Sequence, residues 1–335
     1  MPRAERRGVE AVYHVVSRVC GRAFLFSDVE KEAFRGLLRR VAGFCGIEVI
    51  TYALMNNHFH LLVEVPGKVG ELSDEELLQR CRLVYGDERK GQPLSMARIE
   101  AALRAGDETR MAMRSLLMVR MGSLPMFMKM LKQRYSIHFN RAHDRVGTLW
   151  EDRFHSVLVE NTRVAVRAVA AYIDLNPVRA GVVDDPKDYR FSGYGEAVGS
   201  GKISAYALFR RIRENRNDLP EAVAARYRQY LFVKASDPRK GRALREEQVK
   251  DVMRQGGSLS MAQLLRCRLR YMTAGVVIGS RAFVENWMRE RAEKAGEKAL
   301  RKGSVPSPAG GSEGDGLFAL RHGMCDAEKA GRLNS

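Results

Sequence analysis

β-branched and aromatic residues crowd positions 9–18 (VEAVYHVVSR), which predicts a first strand. Ser27-Asp28-Val29-Glu30 reads as a capping box that opens a helix, since Phe34, Leu37, Leu38 and Val41 follow at helical spacing. The period then returns to strand over 48–55 and 58–65, separated by Asn56-Asn57, two residues that tolerate left-handed backbone. That is a hairpin. Residues 67–124 turn polar and helical and are read as an insertion, after which Phe127, Met130, Leu131 and Tyr135 mark a basic helix over 125–142. A fourth strand is expected over 147–160, and Asn161-Thr162 caps a helix through Val166, Val169, Tyr172 and Ile173 that Pro177 ends.

This order predicts an α+β fold: a mostly antiparallel, ferredoxin-like sheet with helices on one side, a helical insertion and a mainly helical C-terminal extension. Three regions follow from it. Residues 1–200 form the main domain, 201–292 a helical accessory domain, and 293–335 a tail whose Gly, Ser and Pro content predicts disorder. Within 259–287, a basic helix, a glycine-containing break and a second amphipathic segment suggest an added DNA-binding module, with packing or dimerisation as the competing reading.

Charge narrows the partners. Lys and Arg outnumber Asp and Glu 57 to 40, for a net charge of +17, and such a surface attracts polyanions, nucleic acid first among them. The five cysteines are odd in number, scattered and include no CxxC pair, which suggests neither a disulfide framework nor a thiolate zinc site and fits a reducing cytoplasm. No segment is apolar for long enough to span a membrane.

The chemistry concentrates in two places. His58 and His60 stand at i and i+2 of a strand and so share one face, with Phe59 on the other. Two convergent imidazoles can hold a divalent ion, although a bare HxH is more often a pair of ordinary polar residues. Tyr172 and Asn176 stand at i and i+4, which puts a hydroxyl and an amide oxygen on one face of the last helical turn. Tyr135 is a rival nucleophile whose i+4 neighbour, Phe139, cannot complete a metal site.

With these residues in view the sequence resembles the REP-associated tyrosine transposases, within the HUH single-stranded-DNA endonucleases that also include small insertion-sequence transposases. The matching segments are YHVVSR at 13–18, LMNNHFHLL at 54–62, HFNR at 138–141, GTLWEDRF at 147–154 and YIDLNPVRAG at 172–181, in that order. The resemblance implies that Tyr172 is the nucleophile and that His58, His60 and Asn176 hold Mg²⁺ or Mn²⁺. It also implies single-stranded, hairpin-bearing DNA as substrate, with a repetitive extragenic palindrome as the expected form, cut through a 5′-phosphotyrosine, in a cytoplasmic, nucleoid-associated protein. Asn at the third ligand position departs from the Gln of many relatives and binds a hard cation more weakly. A homodimer is carried as an open arrangement, and a hairpin-binding regulator with little turnover as the alternative function.

For DNA contact, Lys132, Arg134, Arg141, Arg153 and Arg179 flank the matched motifs and can neutralise phosphates. Trp150 and Phe154 are read with equal weight as base-stacking platforms or as core.

Overall fold

The computed structural model describes residues 8–86, 94–235, 275–295, 307–308 and 317–321. Strand β1 (Ala11–Arg18) leads to helix α1 (Asp28–Cys45), then β2 (Glu48–Leu54) and β3 (His58–Val65). Three helices of the insertion follow, α2 (Asp74–Arg82), α3 (Met96–Arg104) and α4 (Asp107–Met118), and then the long α5 (Leu124–Ala142) and β4 (His155–Val159). The four strands pair antiparallel in the order β2-β3-β1-β4. With α1 and α5 as the two crossovers this is the expected βαββαβ arrangement.

Local signals set the ends of these elements. Ser27 and Glu30 form the capping box of α1, and Gly46 closes that helix in the left-handed conformation (φ 67°), which a residue with a Cβ adopts only at a cost. The β2–β3 hairpin is sealed by Met55 N–H donating to the His58 carbonyl at 2.8 Å.

Side-chain alternation divides the core in two. Tyr13, Val15, Phe59, Leu61 and Val63 face α1, α5 and the insertion helices, whereas Val12, Leu62, Val157 and Val159 face the opposite way. The crossover helices therefore lie on one side, as the pattern predicts. The other side is covered by α6 (Arg163–Asp174), the one-turn α7 (Asn176–Arg179), α8 (Gly193–Gly199), α9 (Ala207–Ile212) and α10 (Pro220–Ala235). The side chains at 14, 16 and 18 of β1 and at 58, 60 and 62 of β3 point to this second side, into the layer that carries Tyr172.

Two expectations are corrected. Residues 147–154 are not strand; Gly147 turns with φ 97°, and Leu149, Trp150 and Phe154 fold into the core as irregular chain, leaving β4 only five residues long. The C-terminal part is not wholly helical. Gly275–Gly279 (GVVIG), read as a helix break, is β5, fully buried and parallel to β4, because a β-branched run between glycines suits a covered strand better than a helix end. Helix α11 (Arg281–Ala295) follows it. Inside the expected tail, β6 (Ser307–Pro308) and β7 (Phe318–Arg321) extend the sheet to the order β2-β3-β1-β4-β5-β7-β6. The basic helix expected from 259 lies outside the described residues, as does most of 293–335.

Candidate active site

His58 and His60 sit at the start of β3, their rings 5.0 Å apart between centroids. Each is held by one nitrogen. Asn57 Oδ1 lies 2.6 Å from His58 Nδ1, a contact in which only the ring can donate, so His58 carries its proton on Nδ1 and keeps a lone pair on Nε2. His60 Nδ1 lies 3.0 Å from Nε2 of His14, and the two rings stack at 5.2 Å. With the proton on His60 Nδ1, the His60 Nε2 is likewise a lone pair.

Both rings stay neutral. Burial, and then the Arg18 guanidinium, pull His58 down to about 4, and burial with the neighbouring imidazoles holds His60 well below the ordinary histidine range. Neutral imidazole is the form that binds a cation.

Tyr172 closes the site from above. Thr162 caps α6 by accepting from Ala165 N–H, and the apolar stripe of the helix packs on the sheet. Its last turn brings the Tyr172 ring to 5.8 Å from His14 and 5.9 Å from His60, both edge-on, with 6% of the residue exposed. Pro177 interrupts the helix without ending it: Leu175 stays in the helical region, Arg179 N–H donates to the Leu175 carbonyl at 3.0 Å, and α7 continues the turn. Arg179 thereby returns to Tyr172. Its Nη1 donates to the Tyr172 carbonyl at 2.9 Å and its guanidinium lies 5.1 Å from the ring centroid. Burial lowers Arg179 to about 10, which leaves it charged at neutral pH.

Asn176 is half-buried, and its Nδ2 has neither solvent nor a hydrogen-bond partner. A half-turn of the amide exchanges that atom for the oxygen. Among the described residues no group of three or more His, Cys, Asp or Glu is arranged as a metal cluster, so a cation held by the histidine pair needs an amide or other oxygen as its third donor. Two neutral imidazoles and an amide with an orphaned end fit such an ion.

The other residues nominated by the sequence divide. Tyr135 is buried and donates to the Glu30 carbonyl at 3.0 Å on the α1 side of the sheet, where burial raises its phenol far above the ordinary range; it is no nucleophile. Lys132 donates to the Asp152 carbonyl at 2.7 Å and lies over Trp150. Arg134 is half-buried, bound to the Val84 carbonyl and stacked on Tyr85. Arg141 and Arg153 are exposed. Arg141 lines a cavity of about 1000 Å³ between α1 and α5 with Arg40, Arg134, His138 and Arg190, in the layer across the sheet from Tyr172.

Trp150 is corrected as a stacking platform. It is 8% exposed, packs against Phe26, Phe34, Phe59 and Tyr135, and spends its indole N–H on the Lys132 carbonyl at 3.1 Å. Phe154 is buried with it. Trp150→Phe is expected to lower the unfolding free energy by about 1–3 kcal/mol, the cost of the lost indole hydrogen bond and of the cavity left by the smaller ring, and to leave DNA affinity unchanged. Denaturant melts beside a binding titration check both halves.

The sequence places His14 on a strand that lines the sheet near the site, in a structural or substrate-contact role, and offers Asn57 only as a turn residue. The i−1 position of Asn57 is the only local signal, while His14 meets His60 across 46 residues of chain.

Residues 9–72 match the family of IS200-like transposases. No curated protein matches the chain. A solved structure described as a REP-associated tyrosine transposase bound to a REP hairpin aligns at 16% identity over 60% of this chain and 87% of that one, with a TM-score of 0.35, too slight an overlap to fix a fold by itself. The segment that holds β1, α1, β2 and the histidine pair of β3 thus carries the IS200-like transposase signature that the sequence motifs lead one to expect.

Proposed function

We propose that the protein is a single-stranded-DNA endonuclease and strand transferase, with hairpin-bearing DNA as substrate and Tyr172 as nucleophile. One observation carries this reading: the Tyr172 ring lies within 6 Å of the His60 and His14 rings, on the sheet face that carries the His58–His60 pair.

His58, His60 and Asn176 are the residues that would hold a divalent cation, Mg²⁺ or Mn²⁺. Such an ion, when bound, supplies Lewis-acid polarisation of a phosphoryl oxygen. The remaining work belongs to the side chains. The phenolic oxygen of Tyr172 attacks phosphorus in line; an O–P bond forms, the P–O3′ bond breaks, the phenolic proton leaves to solvent and the departing 3′ oxygen takes one up. The products are a 5′-phosphotyrosine and a free 3′-OH. Attack by a second 3′-OH reverses the step and joins the strands without an external energy source.

A phenol with an ordinary pKa near 10 is a weak nucleophile at neutral pH. The Arg179 guanidinium lies 5.1 Å from the Tyr172 ring centroid, a fixed positive charge beside the atoms on which negative charge gathers during attack. Arg179 is thus read as a charge next to the nucleophile rather than as a peripheral phosphate contact.

The test incubates the full chain with Mn²⁺ and a 5′- or 3′-labelled hairpin oligonucleotide carrying single-stranded flanks, and resolves the products on a denaturing gel. A denaturation-resistant protein–DNA adduct bearing only the 3′ fragment supports the proposal. Binding without cleavage favours the regulator, and cleavage without an adduct favours hydrolysis by water.

The histidine behind His60 gives a separate prediction. His14→Ala removes the partner of His60 Nδ1 and is expected to weaken Mn²⁺ binding about 10–100-fold, because an outer partner fixes tautomer and ring orientation. A calorimetric Mn²⁺ titration measures it, and unchanged affinity would mean that His14 does not orient His60 for a cation.

A further inference from the structure

The aromatic residues that the sequence offers for base stacking are buried, and the open end of the sheet beside His58 presents a different one. Phe24 is 80% exposed, the most exposed aromatic ring among the described residues. It belongs to the loop between β1 and α1. That loop is tied along its length to the turn preceding His58: Val19 N–H donates to the Asn57 carbonyl, Phe26 N–H to the Asn56 carbonyl and Asn57 Nδ2 to the Arg22 carbonyl, each at 2.9 Å. The same Asn57 accepts from His58. One amide therefore links the loop to the candidate metal ligand.

The loop's conformation is specific. Gly21 (φ 67°) and Arg22 (φ 55°) are both left-handed, and for an arginine that conformation is held against its own preference. Exposed cations stand in the same loop and at its root. Arg22 precedes it by two residues, and Arg18, at the end of β1, is the register partner of His58. On the far side of β1, Glu151 N–H donates to the Arg18 carbonyl, which brings the segment with exposed Arg153 to the same end of the sheet.

An exposed aromatic among cations suits one partner chemistry best. A base stacks on such a ring whatever its identity, and guanidinium groups take the phosphates on either side. A duplex keeps its bases stacked on one another, so only an unpaired nucleotide offers the free face.

We propose that the loop from Val19 to Phe26 is a clamp for single-stranded DNA, in which Phe24 stacks one unpaired base next to the cleavage site and Arg18 and Arg22 hold the neighbouring phosphates. This rests on the reading that the His58–His60–Tyr172 site handles single-stranded DNA, and it adds the surface that delivers the strand. The clamp does not require the chemistry to occur.

The test uses the full chain carrying Tyr172→Phe, so that binding is read without turnover. Fluorescence anisotropy compares a short labelled oligothymidylate with a blunt duplex of equal length, without added metal. Phe24→Ala is expected to weaken oligothymidylate binding about 10-fold, to leave the duplex unchanged and to leave the melting temperature unchanged, while Phe24→Trp retains the parent affinity. Equal affinities of parent and Phe24→Ala for the single strand overturn the proposal. So does an equal loss on both DNAs, which would mark Phe24 as a general contact. Failure of the parent chain to form a covalent adduct would overturn the nuclease reading instead, and is scored on a different gel.

Discussion

Tyr172→Phe is expected to bind hairpin DNA as tightly as the parent and to form no covalent adduct, with cleavage slowed by at least about 10⁴-fold, the scale on which loss of a catalytic nucleophile is felt. The substitution keeps the ring that packs edge-on against His14 and His60 and lies under Arg179, so the shape of the site survives. It deletes one oxygen. If that oxygen is the attacking atom, the phosphoryl group has nowhere to go, and the cation site and basic surface can only bind. The measurement is a time course with labelled oligonucleotide, quantified for adduct and for free product, beside a binding titration on the same preparation. Cleavage at the parent rate would mean that water is the nucleophile and that Tyr172 is a packing residue. Reduced binding together with reduced cleavage would point to a damaged site, which is why the titration belongs in the experiment.

The parts of this arrangement that the sequence announces are those set by short-range periodicity. Period two places His58 and His60 on one face of β3, and the helical repeat of α6 with its Thr162 cap places Tyr172 in the last turn; each needs fewer than a dozen residues to be read. The βαββαβ order is legible for the same reason. What the local pattern leaves out is supplied by distant chain. The orienting partner of His60 comes from β1, and β5 joins β4 from more than a hundred residues downstream, in parallel, with no turn signal to announce the pairing.

Aromatic residues mislead in both directions. Trp150 and Phe154 lie in a basic, motif-bearing stretch that suggests contact with nucleic acid, yet they fill the gap between α5 and the sheet, because an irregular segment can bury large rings as well as a strand can. Phe24 sits in a loop that predicts nothing about its exposure, which depends on how two left-handed residues turn the chain. Arg179 follows Tyr172 by seven residues, two helical turns on. Its approach to the ring is visible only once the helix is known to carry on past Pro177.

Asp174 yields the second large effect, on stability. It lies two residues past Tyr172 but on the far side of α6, fully buried, where its carboxyl accepts from Thr51 Oγ1 at 2.8 Å, Tyr227 OH at 2.7 Å and Tyr206 OH at 3.2 Å. Three hydroxyl donors favour the carboxylate, yet burial outweighs them and raises the group to about 6 from an ordinary 3.8. A carboxyl raised on folding contributes stability that is complete below its unfolded value, near 4, and is lost as pH climbs through about 6. The loss by pH 7.5 is about 3 kcal/mol, because holding a proton across roughly two pH units is worth about 1.4 kcal/mol for each. Other carboxylates act in the opposite sense, Asp185 among them, held down by Arg228, so the parent's own pH curve mixes both. The difference between parent and Asp174→Asn isolates the one group, since an amide does not titrate. Urea unfolding at pH 4 and pH 7.5 should show the variant gaining about 2.5 kcal/mol on the parent across that interval, whatever its starting value. Parallel curves would mean that Asp174 titrates normally and that its hydroxyl partners, rather than burial, govern the charge behind the Tyr172 helix.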